Sequence, residues 1–448
     1  MAGDFSHHLI FLPLFILLHL DQIFRKMDYR YDEAFAKEMD QKDSLASYRS
    51  QFHIPQHNGR DVLYFTGNSL GLQPKKTEEY IQQELKDWKD HGVEGHFNAK
   101  RPWMPYHEQF TKSLARLTGA KEEEVVSMGT LTNNLHLLMV SFYRPTPTRN
   151  KILCEAKAFP SDQYALASQL RFHGYSQDSL LEIAPREGAF TLSEEDIYQA
   201  IEQQGDKIAL LMMGGVNYYT GQKFDMQGIT AAARAKGITV GWDLAHAMGN
   251  IELNLHDWDV DFAAWCTYKY VNSGPGAIAG IFVNERHLGN PDIPRFEGWW
   301  GHERETRFAM PDQFVPMVTA EAWQLSNAPV FSMAPQRASL DIFDSVDLME
   351  LRAKSKALSG YLEFVLKEVG KSSGNFFEMI TPVGWEARGA QVSVFLHGQG
   401  RSLFDKLMEN GVIADWREPN VIRMAPVPLY NTFMDVYEFG KILEKALI

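Results

Sequence analysis

The sequence predicts an α/β protein, with a mostly parallel sheet covered by helices on both faces and a smaller α+β domain. Three observations carry this expectation. Short apolar runs alternate with helix-prone stretches through the middle of the chain, which is the order of a parallel sheet. Each run is bounded by turn residues, long enough for a buried strand and short for a helix. At 448 residues and 45% hydrophobic, the chain can bury a large core and has room for more than one domain.

The charge balance narrows the class of function. The formal net charge is −13, from 44 basic and 57 acidic residues, and no basic run stands out. Nucleic acid is not the expected partner, although a local positive pocket for a small anion is compatible with that balance. The two cysteines, Cys154 and Cys266, lie in apolar runs and read as buried, reduced thiols. That excludes a disulfide-dense secreted scaffold and a cysteine zinc site. The expected location is the cytoplasm.

The first 26 residues differ from the rest. The apolar run at 9–20 contains Pro13 and His19, and its 12 residues fall short of a membrane span, which needs about 20. No lysine or arginine precedes it, as a signal peptide would require. It reads as an upstream extension, with Met27 as the working start.

The elements follow in order. Residues 27–55 are charged and helix-prone, and 62–65 form a short strand leading into Thr66-Gly67-Asn68-Ser69-Leu70-Gly71. Pro74 suits the first turn of a helix over 75–89, and a second helix runs from near Trp103 to Leu117. A strand at 125–128 enters Gly129-Thr130-Leu131-Thr132 and then an apolar helix, 135–142. That junction suits an anion, since free amides and the helix dipole point there; it suits a plain helix cap equally well. A strand at 151–154 and a helix from Phe159 to near His173 follow, then a helix from Ser193 to near Gly205. Next come a strand at 208–213 and a helix over 227–236, ended by Gly237. Beyond them a helical region includes 340–343, and a long helix, 347–368, connects to strands at 391–396 and 421–424 with a helix at 402–410. The expected division is 1–26 as an extension, 27–65 joining the small domain, 66–334 as the large domain and 335–448 as the small C-terminal domain.

The segment 238–283 organises the rest. One apolar run, 238–242, stops at Asp243, with His246 three residues on; a second, 262–266, ends at Thr267-Tyr268-Lys269-Tyr270; a glycine-rich turn precedes a third, 277–283. An acid and a lysine thus stand at strand ends, where sites in open α/β sheets lie. A pyridoxal-phosphate enzyme needs an amine to bond the cofactor and an acid to keep its ring nitrogen protonated. It also needs a flat side chain against the ring and donors for the phosphate. Lys269 and Asp243 fit the first two roles, Phe159 or His246 the third, and Leu131 and Thr132 the fourth, with Tyr219 as a further phenolic donor. Each residue alone has a plainer reading as turn former, core residue or packing. Their coincidence at strand ends favours the site.

The motifs WDLAHAMGN, WCTYKYVNSGPGAIAG, FPSD, YYTGQ, GWWGH and RMAPVPLYN together resemble the kynureninase family, of fold-type I pyridoxal-phosphate enzymes, from about Leu63 to Asp435. The resemblance implies hydrolysis of L-kynurenine, or its 3-hydroxy form, to an anthranilate and L-alanine in tryptophan catabolism. It makes Lys269 the cofactor-bonding lysine, Asp243 the partner of the ring nitrogen, and Phe159 the stacking face, with Pro160, Ser161 and Asp162 beside it. Leu131 and Thr132 would hold the phosphate, with His246, Tyr268 and Tyr219 near the cofactor. Trp299 and Asn327 would come from a partner subunit, so a homodimer is implied. His96, Trp300 and Ser326 would face the aryl end of the substrate, and Arg423 would clamp its carboxylate. Two positions depart from relatives: Gly214 where serine occurs, and Asn217 where histidine occurs. Other readings are an aminotransferase, a cysteine desulfurase, which needs a cysteine on a mobile loop, and a silent binding protein of the same fold.

Overall fold

Strands buried on both faces fill both pleats with apolar side chains, and the central sheet is built that way. The computed structural model describes residues 28–374, 376–398 and 400–448; the expectations for 1–26 and the start at Met27 lie outside the described residues. Seven strands form the sheet in the spatial order Val125–Ser127, Gly280–Val283, Phe262–Trp265, Thr239–Asp243, Ile208–Gly214, Lys151–Glu155, Leu180–Ile183. All run the same way except Gly280–Val283, which is antiparallel to both neighbours. Alternate residues enter opposite cores. Leu211, Met213, Val240 and Trp242 pack on one side. Leu210, Met212, Phe262 and Ala264 pack on the other.

The elements differ from expectation at several places, each for a local reason. Pro74 does not open a helix; it pairs with Phe52 in a two-residue ribbon, and the helix begins at Thr77. The helix after Gly129 starts at Leu131, four residues early, because Thr130 already takes the extended N-cap conformation. The edge strand Leu180–Ile183 was not foreseen, since only its first and last residues are buried. The helix Val330–Asp344 contains Pro335, which hid its first turns. Cys266 stands one residue beyond its strand, although it is as buried as expected.

A separate core joins the two ends of the chain. Phe35, Leu63 and Phe65 pack with Leu358, Leu362 and Val365 of the helix Leu348–Ser372 and with Phe433 and Phe439 of the helix Phe433–Ala446. Leu63–Tyr64 pairs in parallel with Val412–Ile413. Beside it lies a four-stranded antiparallel sheet, Phe377–Met379, Val392–Leu396, Val421–Met424 and Asp415–Arg417. Among the described residues, no helix is long and apolar enough to cross a membrane.

Candidate active site

The parallel strands all point their C-terminal ends at one edge of the sheet, and the site is built along it. Asp243 closes its strand with Gly214 beside it in register, and Glu155 closes the next strand over. The chain leaving Phe262–Trp265 brings Tyr268 and Lys269 to the same edge. These residues line a cleft of ≈ 700 Å³, solvent mouth included, together with Thr130, Leu131, Thr132, Phe159, Ser161, Asp162, Tyr218 and His246.

Lys269 is held on several sides. Its Nζ lies 3.0 Å from His246 Nε2 and 5.9 Å from the ring centres of both Phe159 and Tyr268. Burial, then the positive charges of Lys269, Arg423 and Arg417, hold the His246 imidazole neutral. Its Nε2 therefore accepts from Lys269, and the ring hydrogen sits on Nδ1, which has no protein partner among the described residues. The Lys269 backbone is fixed from the N-terminal side: Gly71 N–H donates to Tyr268 O at 2.8 Å. A side chain at Gly71 would collide with Asn272 and with the Lys269 carbonyl.

Two carboxyl groups share the Asp243 position. Burial raises both, and Asp162 is raised further by the charge of Asp243, while its bond to Asp243 and the Ala245 amide favour the charged form of Asp243. The proton thus rests on Asp162, which donates to Asp243, and the pair presents one negative charge. Ala245 N–H donates to Asp243 Oδ1 at 2.6 Å and fixes the carboxylate plane.

An uncapped helix end lines the same cleft. Gly129 has φ +55°, and a Cβ there would strike the Asn134 side chain, which is tied to Met128 O at 2.8 Å. Thr130, the N-cap of the 12-residue helix Leu131–Phe142, makes no side-chain capping bond. The first-turn amides therefore face the cleft without a side-chain acceptor, a favourable position for a phosphate. Amine, buried anion, flanking aromatic ring and uncapped helix end in one cleft fit pyridoxal phosphate on their own chemistry.

Arg423 lies just behind this cleft. Fully buried, it pairs with Asp415, donates to Tyr218 O at 2.5 Å and to Ser69 Oγ at 3.2 Å. Ser69 also donates to Asp415, so the loop after Leu63–Tyr64 and the small sheet hold the guanidinium together.

Sequence reasoning brought Leu131, Thr132, Phe159, Ser161, Asp162, Asp243, His246, Tyr268 and Lys269 to one place. Pro160 is the first residue of its helix and does not line the cleft. Tyr219 does not line it either; Tyr218 does. Asn217 Oδ1 accepts from the amides of Tyr219 and Thr220, and that turn sends the Tyr219 hydroxyl towards Glu418 O, 3.5 Å away. Ser326 and Asn327 are exposed and line a second cavity of ≈ 1220 Å³, solvent mouth included, which shares Thr130 with the first. Trp299 is 47% exposed and lines a third cleft, while Trp300 is buried under Arg307. His96 Nδ1 donates to Val93 O at 2.8 Å, and the residue lies outside the cleft. Glu155 and Tyr218 were missed. Glu155 carried the same signal as Asp243, an acid closing an apolar run.

The chain matches the family described as Aminotransferase class-V over residues 63–375 and that described as Kynureninase C-terminal domain over 351–443. It is 56% identical to a kynureninase of Flavobacterium johnsoniae, over 94% of this chain and 100% of that one. It is 48% identical to a kynureninase of Nematostella vectensis, over 92% and 93%. Among solved structures, a cysteine desulfurase from Thermococcus onnurineus superposes with TM-score 0.71 at 17% identity, covering 91% of this chain and 97% of that one. One from Escherichia coli gives TM-score 0.72 at 16% identity, covering 90% and 98%. At such identities, these last two speak for the fold alone.

Proposed function

The chain belongs to the kynureninase family of pyridoxal-phosphate enzymes, and from that premise we propose how its own residues hydrolyse the Cβ–Cγ bond of a kynurenine to an anthranilate and L-alanine. The observation that carries the reading is the meeting of Lys269, the Asp162–Asp243 pair and the uncapped helix end in one cleft. When bound, pyridoxal phosphate supplies an aldehyde that bonds an amine and a ring that accepts an electron pair.

Lys269 would hold the cofactor through Nζ, and the same nitrogen, once released by a substrate amine, would be the base for the α-carbon proton. Neutral His246, accepting at Nε2, keeps that nitrogen in place. The single charge of the Asp162–Asp243 pair holds the ring-nitrogen proton. Phe159, steadied edge-on by Tyr218 with ring centres 5.3 Å apart, closes one side of the cleft. Tyr219 is the donor to Cβ in this reading: burial keeps its phenol protonated, and its hydroxyl, which lies outside the cleft, would turn in from Glu418, whose 3.5 Å contact is weak enough to exchange. Its neighbours Gly214 and Asn217 bear on Glu155 instead of carrying a hydroxyl or an imidazole.

Arg423 receives the α-carboxylate, a task for a planar bidentate donor. Replacing it with alanine would remove one of the two arginines paired with the mostly buried Asp415, so Arg423→Lys is the cleaner test: it keeps the ion pair and loses the fork. KM for L-kynurenine should rise at least ~10-fold with cofactor affinity nearly unchanged. An equal loss of both would rule out the clamp.

Trp299 and Asn327, which do not line the Lys269 cleft of their own chain, act on the cleft of a second copy, and His96, Trp300 and Ser326 belong with the aryl end of the substrate there. The working unit is a homodimer in the cytoplasm, acting in tryptophan breakdown. Co-expressing Lys269→Ala with a Trp299→Ala/Asn327→Ala chain should restore about a quarter of wild-type turnover, since half the random dimers carry one intact site. No restoration would place Trp299 and Asn327 outside the site.

A further inference from the structure

Three neighbouring strands end side by side at Glu155, Gly214 and Asp243. Gly214 pairs with Asp243 in register, and Glu155 flanks it on the other side. Gly214 has no side chain, so nothing on the middle strand stands between the two carboxyl groups. A Cβ at Gly214 would stand 3.2 Å from Glu155 Oε1. The other oxygen, Oε2, accepts from Asn217 Nδ2 at 3.2 Å. That amide cannot be reversed, because Asn217 Oδ1 is engaged by the amides of Tyr219 and Thr220 and the Thr220 hydroxyl.

We propose that Glu155 is a positioning residue of this site: an acid set beside Asp243, oriented through Oε2 by Asn217 and left without a side-chain neighbour at Oε1 because position 214 is glycine, so that it takes up and releases a proton next to Asp243. The inference rests on Asp243 serving the cofactor ring. Glu155 lines the same cleft as Lys269 yet has no cation among the groups acting on it, only the Asn217 amide and the Asp243 charge. Burial is the main effect, the Asn217 hydrogen bond opposes it and the Asp243 charge adds to it, and the balance pushes the carboxyl up to about 7. The other titratable groups around it are Asp162 on the helix Pro160–Phe172, Tyr218 on the turn, Cys154 on its own strand and Glu182 on the edge strand. Lys269 and His246 line the same cleft. An ionised Glu155 would put a second negative charge beside the Asp162–Asp243 pair, and a protonated one leaves that pair with a single charge. Glu155 thus acts on the ring proton through Asp243.

The test titrates the full chain by difference infrared spectroscopy, without and with pyridoxal phosphate, and follows the visible absorption of the loaded form. Wild type should lose one protonated-carboxyl band near neutral pH, and Glu155→Gln should lack that step. Gly214→Ser puts the smallest hydroxyl against Oε1, and a donor there favours the ionised form, so the step should move down by ~1 pH unit. Glu155→Gln should also shift the midpoint of the visible titration. Persistence of the infrared step in Glu155→Gln overturns the assignment of the proton. A lost step with an unmoved visible midpoint overturns the action on the cofactor, and an unmoved step in Gly214→Ser overturns the role of glycine. The measurement without cofactor does not involve the family reaction, so its failure is separable from failure of that reading.

Discussion

Lys269→Ala should abolish the visible absorption of lysine-bound cofactor and cut turnover by at least ~10³-fold. Both losses come from one atom. Nζ is the nucleophile that holds the cofactor and the base that takes the α-carbon proton, and the neighbouring His246 cannot replace it. In the variant, burial and the charges of Arg423 and Arg417 still favour neutral His246, but its Nδ1 has no protein partner among the described residues through which to pass a proton on. The fold should survive, because the Lys269 backbone is anchored through Gly71 and its side chain makes no ion pair among the described residues. Retention of the absorption band and of full turnover would assign the cofactor to another amine.

Asp243→Asn should cut kcat by about 10²-fold while leaving the substrate KM within a few-fold. Asparagine fills the same volume and can still accept from Ala245, but it brings no charge to the ring nitrogen. The loss should stop short of total, because Asp162 is kept protonated in part by the charge of Asp243. Once that charge is removed, Asp162 ionises more readily and stands in for it. The double variant Asp162→Asn/Asp243→Asn should therefore lose at least ~10-fold more than Asp243→Asn, and Asp162→Asn alone should lose little. Equal rates for Asp243→Asn and wild type would remove the pair from the reaction.

The centre of the site was legible because buried strands leave a simple trace. An apolar run that stops at an acid or runs into a lysine marks a strand end, and Asp243 and Lys269 were found that way. Glu155 carried the same mark on a neighbouring strand and was passed over, because no motif drew attention to it. Direction along the sheet was not legible: 277–283 has the same apolar pattern as its neighbours, yet the strand within it runs antiparallel. Tyr218 and Tyr219 could not be separated either, since the Asn217 turn alone decides which ring lines the cleft. Carboxyl sharing between Asp162 and Asp243 joins residues on different elements, and spacing in one chain does not reveal it. The helix Phe433–Ala446 was also unforeseen, although Thr432 and Asp435 form a capping box at its start.

The cysteine desulfurases that share the fold invite a comparison of chemistry. Here Cys154 and Cys266 are both buried, and burial pushes both thiols up, away from the reactive thiolate. Neither is on an exposed loop that could carry sulfur. Transamination is separable by product, because it would leave a keto acid and an aminated cofactor.

The most direct measurement is therefore product analysis with the cofactor-loaded chain and L-kynurenine, run in parallel with 3-hydroxykynurenine. One fluorescent anthranilate and one alanine should form for each kynurenine consumed, with the cofactor returned unchanged. Kynurenine consumed with keto acid and pyridoxamine phosphate in place of alanine, or no anthranilate from either substrate, would contradict hydrolytic cleavage at the Lys269 site.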